Sequence, residues 1–274
     1  MAYGNIPTIP LALPGLAAQP SYTIPDIEKR MMQFDDINLW VQPDLGNVRR
    51  SGKNLRIAGR KGYQAIASDD AIVVGTGMAQ TIETINLPGG NTGSGELPLH
   101  VTDYLLGGSY MVSALVRFSA SASLSGIAYQ IFSAGVDGSD SAMNLYMLNN
   151  ALYLRHGTTN QNIRLSPLFA LNSSYHIMAS YDVVADKAEL CINSATPLVL
   201  NTEALDGPAG GDRELCIGGK FNPQKSAGTQ LFHGSIRAAW ASNTTHWVGD
   251  EKASVREAFV DMVGDLYGND ITIV

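Results

Sequence analysis

The sequence predicts an all-β chain folded as an antiparallel β-sandwich, and three observations lead there. The run Ser174-Tyr175-His176-Ile177-Met178-Ala179-Ser180-Tyr181-Asp182 alternates strictly. Tyr175, Ile177, Ala179 and Tyr181 fall on one face, with His176, Met178, Ser180 and Asp182 on the other. A period of two over that length marks a strand with one face buried in an antiparallel sheet. The run Lys187-Ala188-Glu189-Leu190-Cys191-Ile192-Asn193 follows after only Val183-Val184-Ala185-Asp186, a connection short enough for a hairpin. Finally, from residue 100 to 242 short apolar runs recur between clusters of Gly, Asn, Asp and Ser, the pattern of a sandwich or jelly roll.

Composition agrees. Of 274 residues 45% are hydrophobic and only 16% charged, and 28 are glycine. That mix supports a sizeable core, short strands and many turns. The net charge of −7 argues against nucleic acid as the main ligand. No run approaches the roughly 18 apolar residues of a membrane helix, so no membrane insertion is expected. The first residues lack the basic and apolar regions of a signal peptide, so export by that route is not expected either. Cys191 and Cys216 sit in the same phrase, Glu-Leu-Cys-Ile, and are expected as reduced strand thiols rather than a disulfide framework.

Taken in order, residues 1–62 read as an extended arm. Six of the 12 prolines fall here, and proline at that density interrupts helices and sheet ladders. A short helix over Asp26 to Phe34, with Pro25 near its start, is the exception. The apolar residues Ile6, Ile9, Leu11, Leu13, Leu16, Trp40 and Val41 suggest an anchor held by neighbouring subunits. The alternative is an arm wrapped over its own domain. Between 47 and 67 stand Arg49, Arg50, Lys53, Arg56, Arg60 and Lys61 with no acidic residue. They read either as a patch for an acidic partner surface or nucleic acid, or as balance for Asp26, Glu28, Asp35, Asp36 and Asp44; the balance, or a protein partner, is preferred.

Residues 63–99 hold strand candidates at 63–67, 71–76 and 81–87, then a Gly-rich loop from Pro88 to Gly95 without the lysine of a phosphate loop. The sandwich itself is expected over 100–245. Its strand candidates are 104–106, 110–119, 129–134, 143–148, 151–155, 162–165, 175–182, 188–193, 198–201, 213–218 and 230–241, with Asn149-Asn150 as a tight turn. After Asp250 the period changes. Val255, Phe259, Met262, Val263 and Leu266 recur at three and four, which predicts a helix to about Gly268 within a C-terminal segment 246–274.

The succession Tyr110-Met-Val-Ser-Ala-Leu-Val-Arg-Phe118, Tyr129-Gln-Ile-Phe-Ser-Ala-Gly135, Ser174 to Asp182, Ala188-Glu-Leu-Cys-Ile-Asn193, Glu214-Leu-Cys-Ile-Gly-Gly219 and Phe232-His-Gly-Ser-Ile-Arg-Ala-Ala-Trp240 resembles the concanavalin A-like lectin/glucanase superfamily, in its laminin-G-like form. The resemblance covers about residues 100–245. It departs at Asn193-Ser194, where the family has Asn-Gly or Asp-Gly. It implies two curved antiparallel sheets used to bind glycans or proteins. It also implies a structural role for His176 and allows a rim calcium at Asp137 and Asp140, a loop that otherwise reads as a plain turn; no other cofactor is expected.

The residues show no catalytic constellation. The family's glycosidases carry a Glu-x-Asp-x-x-Glu cluster that is absent here. Glu189 and Glu214 could face one sheet surface, but glycoside hydrolysis needs a closely placed pair. The five histidines lack zinc-type spacing. Ligand contacts are expected on loop residues His156, Asn160, Lys220, Asn222 and Gln224. Trp240 is expected in the core, with Trp40 and Trp247 packing the arm and helix. Together with the apolar arm, the resemblance suggests a non-enzymatic protein of a tailed-bacteriophage virion, in the capsid or the tail. Its expected partners are other virion subunits, copies of itself and a host-surface glycan. The alternative is a carbohydrate-binding adhesion module, and a glycoside hydrolase stands behind both.

Overall fold

The computed structural model describes residues 24–44, 47–68, 73–76, 82–90, 98–119, 126–135, 141–156, 162–165, 169–200, 213–221 and 228–268. In chain order the elements are α1 (Asp26–Met32), β1 (Leu39–Val41), β2 (Val48–Ser51), β3 (Asn54–Ala58), β4 (Gln64–Ser68), β5 (Val73–Thr76), β6 (Ile82–Gly90), β7 (Leu99–Leu106), β8 (Tyr110–Phe118) and β9 (Tyr129–Gly135). They continue as β10 (Ser141–Leu148), β11 (Ala151–His156), β12 (Asn162–Leu165), β13 (Ser174–Asp182), β14 (Lys187–Ile192), β15 (Val199–Leu200), β16 (Arg213–Ile217), β17 (Lys220–Phe221), β18 (Gly228–Thr229), β19 (Leu231–Ser242) and α2 (Ala253–Tyr267).

Sheet A runs β15-β14-β13-β8-β19-β6-β5, with β1 also on β19. Sheet B runs β12-β11-β10-β9-β16-β7-β4-β3-β2. Neighbouring strands pair antiparallel, as the alternating runs require. Asn149 and Asn150 both take positive φ, 50° and 58°, as a tight hairpin turn demands, and Asn tolerates that region.

Alternate residues of sheet A enter two separate apolar layers. Val112, Ala114, Val116, Ile177, Ala179 and Tyr181 face sheet B in the sandwich core. Met111, Leu115, Met178, Ala238 and Trp240 point the other way, into a second layer closed by Phe259, Val263 and Tyr267 of α2 and Met31 of α1. β13 was expected to be half exposed. It is buried on both faces, because the helices supply a lid for residues that alternate outward. Each large apolar side chain removed from water there contributes about 1.5–3 kcal/mol.

The lid is fixed by one buried ion pair. Arg256 Nη1 lies 3.0 Å from Glu189 Oε2, and both side chains are 4% exposed. The same guanidinium donates to the carbonyls of Trp247, of Gly249 at 2.9 Å and of Ala195 at 3.0 Å. Glu189 Oε1 accepts from the Gly249 amide at 2.8 Å. Trp247 N donates to Ser180 Oγ, which donates to the Tyr110 carbonyl. Loop, strand and helix are thus tied through a buried ion pair and the backbone hydrogen bonds around it.

The leader departs from expectation. The helix at its centre forms as α1, but Leu39–Val41, Val48–Ser51 and Asn54–Ala58 form strands rather than extended arm. Trp40 stacks on Trp240 at 6.5 Å, and Arg60 lies 4.9 Å above its ring. Arg60 also pairs with Glu28 at 2.7 Å and Asp44 at 2.8 Å, so this part of the basic run does balance the upstream acids. Trp40 and Val41, expected as assembly anchors, are fully buried in their own molecule. Pairing of β1 with β19 satisfies their backbone within the chain, so neither side chain is left to grip a neighbour. Ile6, Ile9, Leu11, Leu13 and Leu16 lie outside the described residues. The strands expected over 63–99 form as β4, β5 and β6, and both sheets draw on them: β4 joins β7 and β6 joins β19.

Arg256→Met is expected to cost about 3–5 kcal/mol in urea unfolding, because Glu189 is left charged and buried. Adding Glu189→Gln should recover part of that loss. Independent, additive costs would show that the pair is not the clamp.

Candidate functional site

Where α2 stops covering sheet A, the outward row turns polar. Strand register places Asn86, Ser235, Arg117 and Ser174 side by side across four strands, β6, β19, β8 and β13. One step nearer the helix, the row of Ala238, Leu115 and His176 is buried. Arg117 is the exposed residue in a strand otherwise buried throughout.

A cavity of about 390 Å³ opens here, lined by Asn86, Leu87, Arg117, Phe118, Ser119, Asn172, His233, Gly234 and Ser235. Its walls are held by backbone. The Asn172 amide donates to the Phe118 carbonyl at 3.0 Å, and the Ser119 amide donates to the His233 carbonyl at 2.9 Å. Asn172 takes a left-handed φ of 59°, and its side-chain carbonyl accepts from Arg117 Nη2 at 2.7 Å. That bond aims the guanidinium. Burial lowers the His233 pKa, which leaves its ring neutral near pH 7 and able both to donate and to accept.

Two glycine motifs shape the floor. A Cβ on Gly234 would lie 2.1 Å from the Arg117 carbonyl, so strand and strand approach only with glycine there. Gly218 has φ +75°, and a Cβ would lie 2.3 Å from Leu87 Cδ2. Its amide donates to Ile131 at 2.9 Å, and its carbonyl accepts from Phe232 at 2.8 Å. The Ile-Gly-Gly and Phe-x-Gly-x-Ile phrases are therefore where the two sheets are tied together.

The residues expected to contact ligand are not those of the cavity. His156 is 1% exposed and lies inside the sandwich. Its Nε2 meets the Tyr110 hydroxyl at 2.5 Å, and its ring stands edge-on to Tyr181 at 4.3 Å. It ends β11 rather than sitting on a loop, and its position in the inward alternation takes it to the core. Lys220 is likewise buried, in β17. Asn160, Asn222, Gln224, Asp137 and Asp140 lie outside the described residues. His176, expected to be structural, bonds Ser113 Oγ at 2.8 Å beneath α2. Trp240 is buried but faces the helix layer rather than the sandwich interior. Trp247 packs Phe34 and Phe259.

Glu189 lies in sheet A and Glu214 in sheet B, so the two do not share a surface. Cys191 and Cys216 are divided between the same two sheets, and burial pushes the Cys191 thiol up to about 12, far from a nucleophile's range. Among the described residues no group of three His, Cys, Asp or Glu side chains converges to hold a metal. The sequence reading missed Arg117, Asn172, His233 and Ser235. The signal was a single charge near the end of an apolar strand.

No protein-family model and no curated protein sequence matches this chain. Solved structures do. The binding domain of Botulinum neurotoxin DC, in complex with rat synaptotagmin II, gives a TM-score of 0.55 at 11% identity, over 83% of this chain and 52% of that one. A mutant Trypanosoma rangeli sialidase displaying trans-sialidase activity gives 0.54 at 10% identity, over 84% and 34%. The likeness is one of fold. The Ruminococcus gnavus IT-sialidase CBM40 bound to alpha2,6 sialyllactose is more distant, with a TM-score of 0.46 at 15% identity, over 64% and 96%. This chain spans about half of the toxin domain and about a third of the sialidase. The antiparallel β-sandwich predicted from the sequence is the fold shared with the aligned parts of the toxin domain and the sialidase.

The two core histidines make stability depend on pH. Burial holds His156 at about 3 and His176 at about 4, against 6.5 for an exposed ring. The unfolded chain therefore takes up their protons first. Stability is complete above about pH 6.5 and falls on acidification toward those values, at up to roughly 1.4 kcal/mol per pH unit for each ring. Urea midpoints measured from pH 7 to 5, above the carboxylate range, should decline. A flat profile would rule out the neutral buried pair. Gly234→Ala should lower the same midpoint at every pH, because the Arg117 carbonyl blocks the new methyl group.

Proposed function

We propose that this chain is a non-catalytic glycan-binding β-sandwich whose site is the Arg117 cavity. One observation carries the reading: a row of planar and hydroxyl side chains, Asn86, Ser235 and Arg117, with Asn172 bonded to Arg117, borders a preformed cavity on a rigid sheet. Such groups suit vicinal hydroxyls, which need both donors and acceptors at set spacing. The Arg117 fork adds a match for a sugar carboxylate.

Other features agree. Among the described residues no carboxylate lines the cavity to act as a glycosidic acid or nucleophile. The similar fold in Botulinum neurotoxin DC is named as a binding domain, and a more distant one is a carbohydrate-binding module bound to sialyllactose. A place in a virion, expected from the leader, loses support from Trp40 and Val41.

A glycan array on the purified chain should return hits, with binding confirmed by calorimetry. Arg117→Ala should weaken that binding roughly tenfold or more, the worth of one charge-assisted hydrogen bond. An empty array, or affinity unchanged by Arg117→Ala, would end this reading.

A further inference from the structure

We propose a second binding surface, for a linear anionic polysaccharide, on the β2–β3 hairpin at the edge of sheet B. This surface goes beyond the Arg117 cavity and does not depend on it. Of the six basic residues between 47 and 67, Arg60 and Lys61 are consumed internally. Arg60 holds Glu28 and Asp44, and Lys61 Nζ donates to the Phe34 and Ile37 carbonyls at 2.6 Å. Arg49 and Arg56 are exposed on one hairpin, which also carries Arg50 and Lys53.

Their arrangement works against the fold. Arg49 and Arg56 stand directly opposite each other across the two strands. Like charges so placed repel. Among the described residues neither has an ion-pair partner, and Arg49 reaches only its neighbour's carbonyl, that of Val48. The tip is open: a Cβ added at Gly52 would meet nothing within 4 Å. Leu55 and Ile57, by contrast, alternate inward to the core and hold the ribbon firmly. Arg49 and Arg56 thus project from a rigid edge, beside Arg50 and Lys53, in a chain whose net charge is −7.

The chemistry of the partner follows from what the hairpin lacks. Residues 48–58 hold no aromatic side chain on which a base could stack, which single-stranded nucleic acid recognition relies on. No large apolar side chain is exposed on it to form the dry centre of a protein interface. A hydrated polymer carrying only carboxylate or sulfate groups needs neither. Arginine forks bind such groups in pairs.

The test uses dextran sulfate, uncharged dextran of equal length and a single-stranded DNA of matched charge, with the full chain. Dextran sulfate should bind, with affinity falling on the order of tenfold between about 50 and 200 mM salt as a few counterions are released. Uncharged dextran should not bind. Arg49→Glu with Arg56→Glu should abolish binding, and Arg49→Gln with Arg56→Gln should weaken it while leaving the circular dichroism unchanged. Arg117→Ala should leave dextran sulfate binding intact, so a failure here is distinct from a failure of the cavity. Unchanged affinity in both hairpin variants would overturn the proposal. So would DNA binding as tightly as dextran sulfate, which would reassign the surface to nucleic acid.

Discussion

The buried pair of Glu189 and Arg256 is the constraint on which the rest depends. A β-sandwich can leave its outer faces in water, and alternating sequences normally do so. Here one outer face carries Met111, Leu115, Met178, Cys191 and Trp240. Those residues require a cover, and α2 supplies it. An apolar helix face alone could slide over an apolar sheet. A guanidinium bound at once to Glu189 and to the Trp247, Gly249 and Ala195 carbonyls cannot. The register between helix and sheet is set by charge, and the packing of Trp240, Trp247 and Phe259 follows.

The lid also decides where recognition can happen. It shields the outward row of Ala238, Leu115 and His176 and stops before the row of Ser235 and Arg117. A polar cavity therefore appears at the boundary between covered and uncovered sheet, where strand residues meet Ser119 and Asn172 of the adjoining loops. The site is rigid because its side chains stand on paired strands, and Asn172 is fastened to Phe118 through its own backbone.

Much of this architecture was legible in the sequence. Period two in 174–182 and 187–193 located β13 and β14 almost to the residue, because one face of each must enter the core. Asn149-Asn150 announced a turn through its tolerance of positive φ. The shift to a period of three and four after Asp250 announced α2. The second apolar layer was not legible. Alternation shows that two faces differ, and Met178 or Trp240 does not reveal that a helix some distance along the chain will cover it. The leader misled for a related reason. Its prolines forbid long elements, yet a three-residue strand such as β1 needs only three suitable positions. Arg117 escaped notice because one charge in an apolar strand has no period, and His156 was placed on the surface because its strand was ended one residue too early.

The long strand β19 shares one of its edges between β6 and β1, with an irregular step at Arg237 between them and β8 along the other side. Asn38 and Asn243, which bond beside this junction, are 205 residues apart in the chain. On the ribosome, Leu39, Trp40 and Val41 emerge long before anything they can pair with. Until β19 is made, an indole and an open strand edge wait in solvent, where a chaperone or an unrelated edge could capture them. Loop closure over such a span is slow. The seam that joins this early stretch to a late one therefore closes only when β19 has been made.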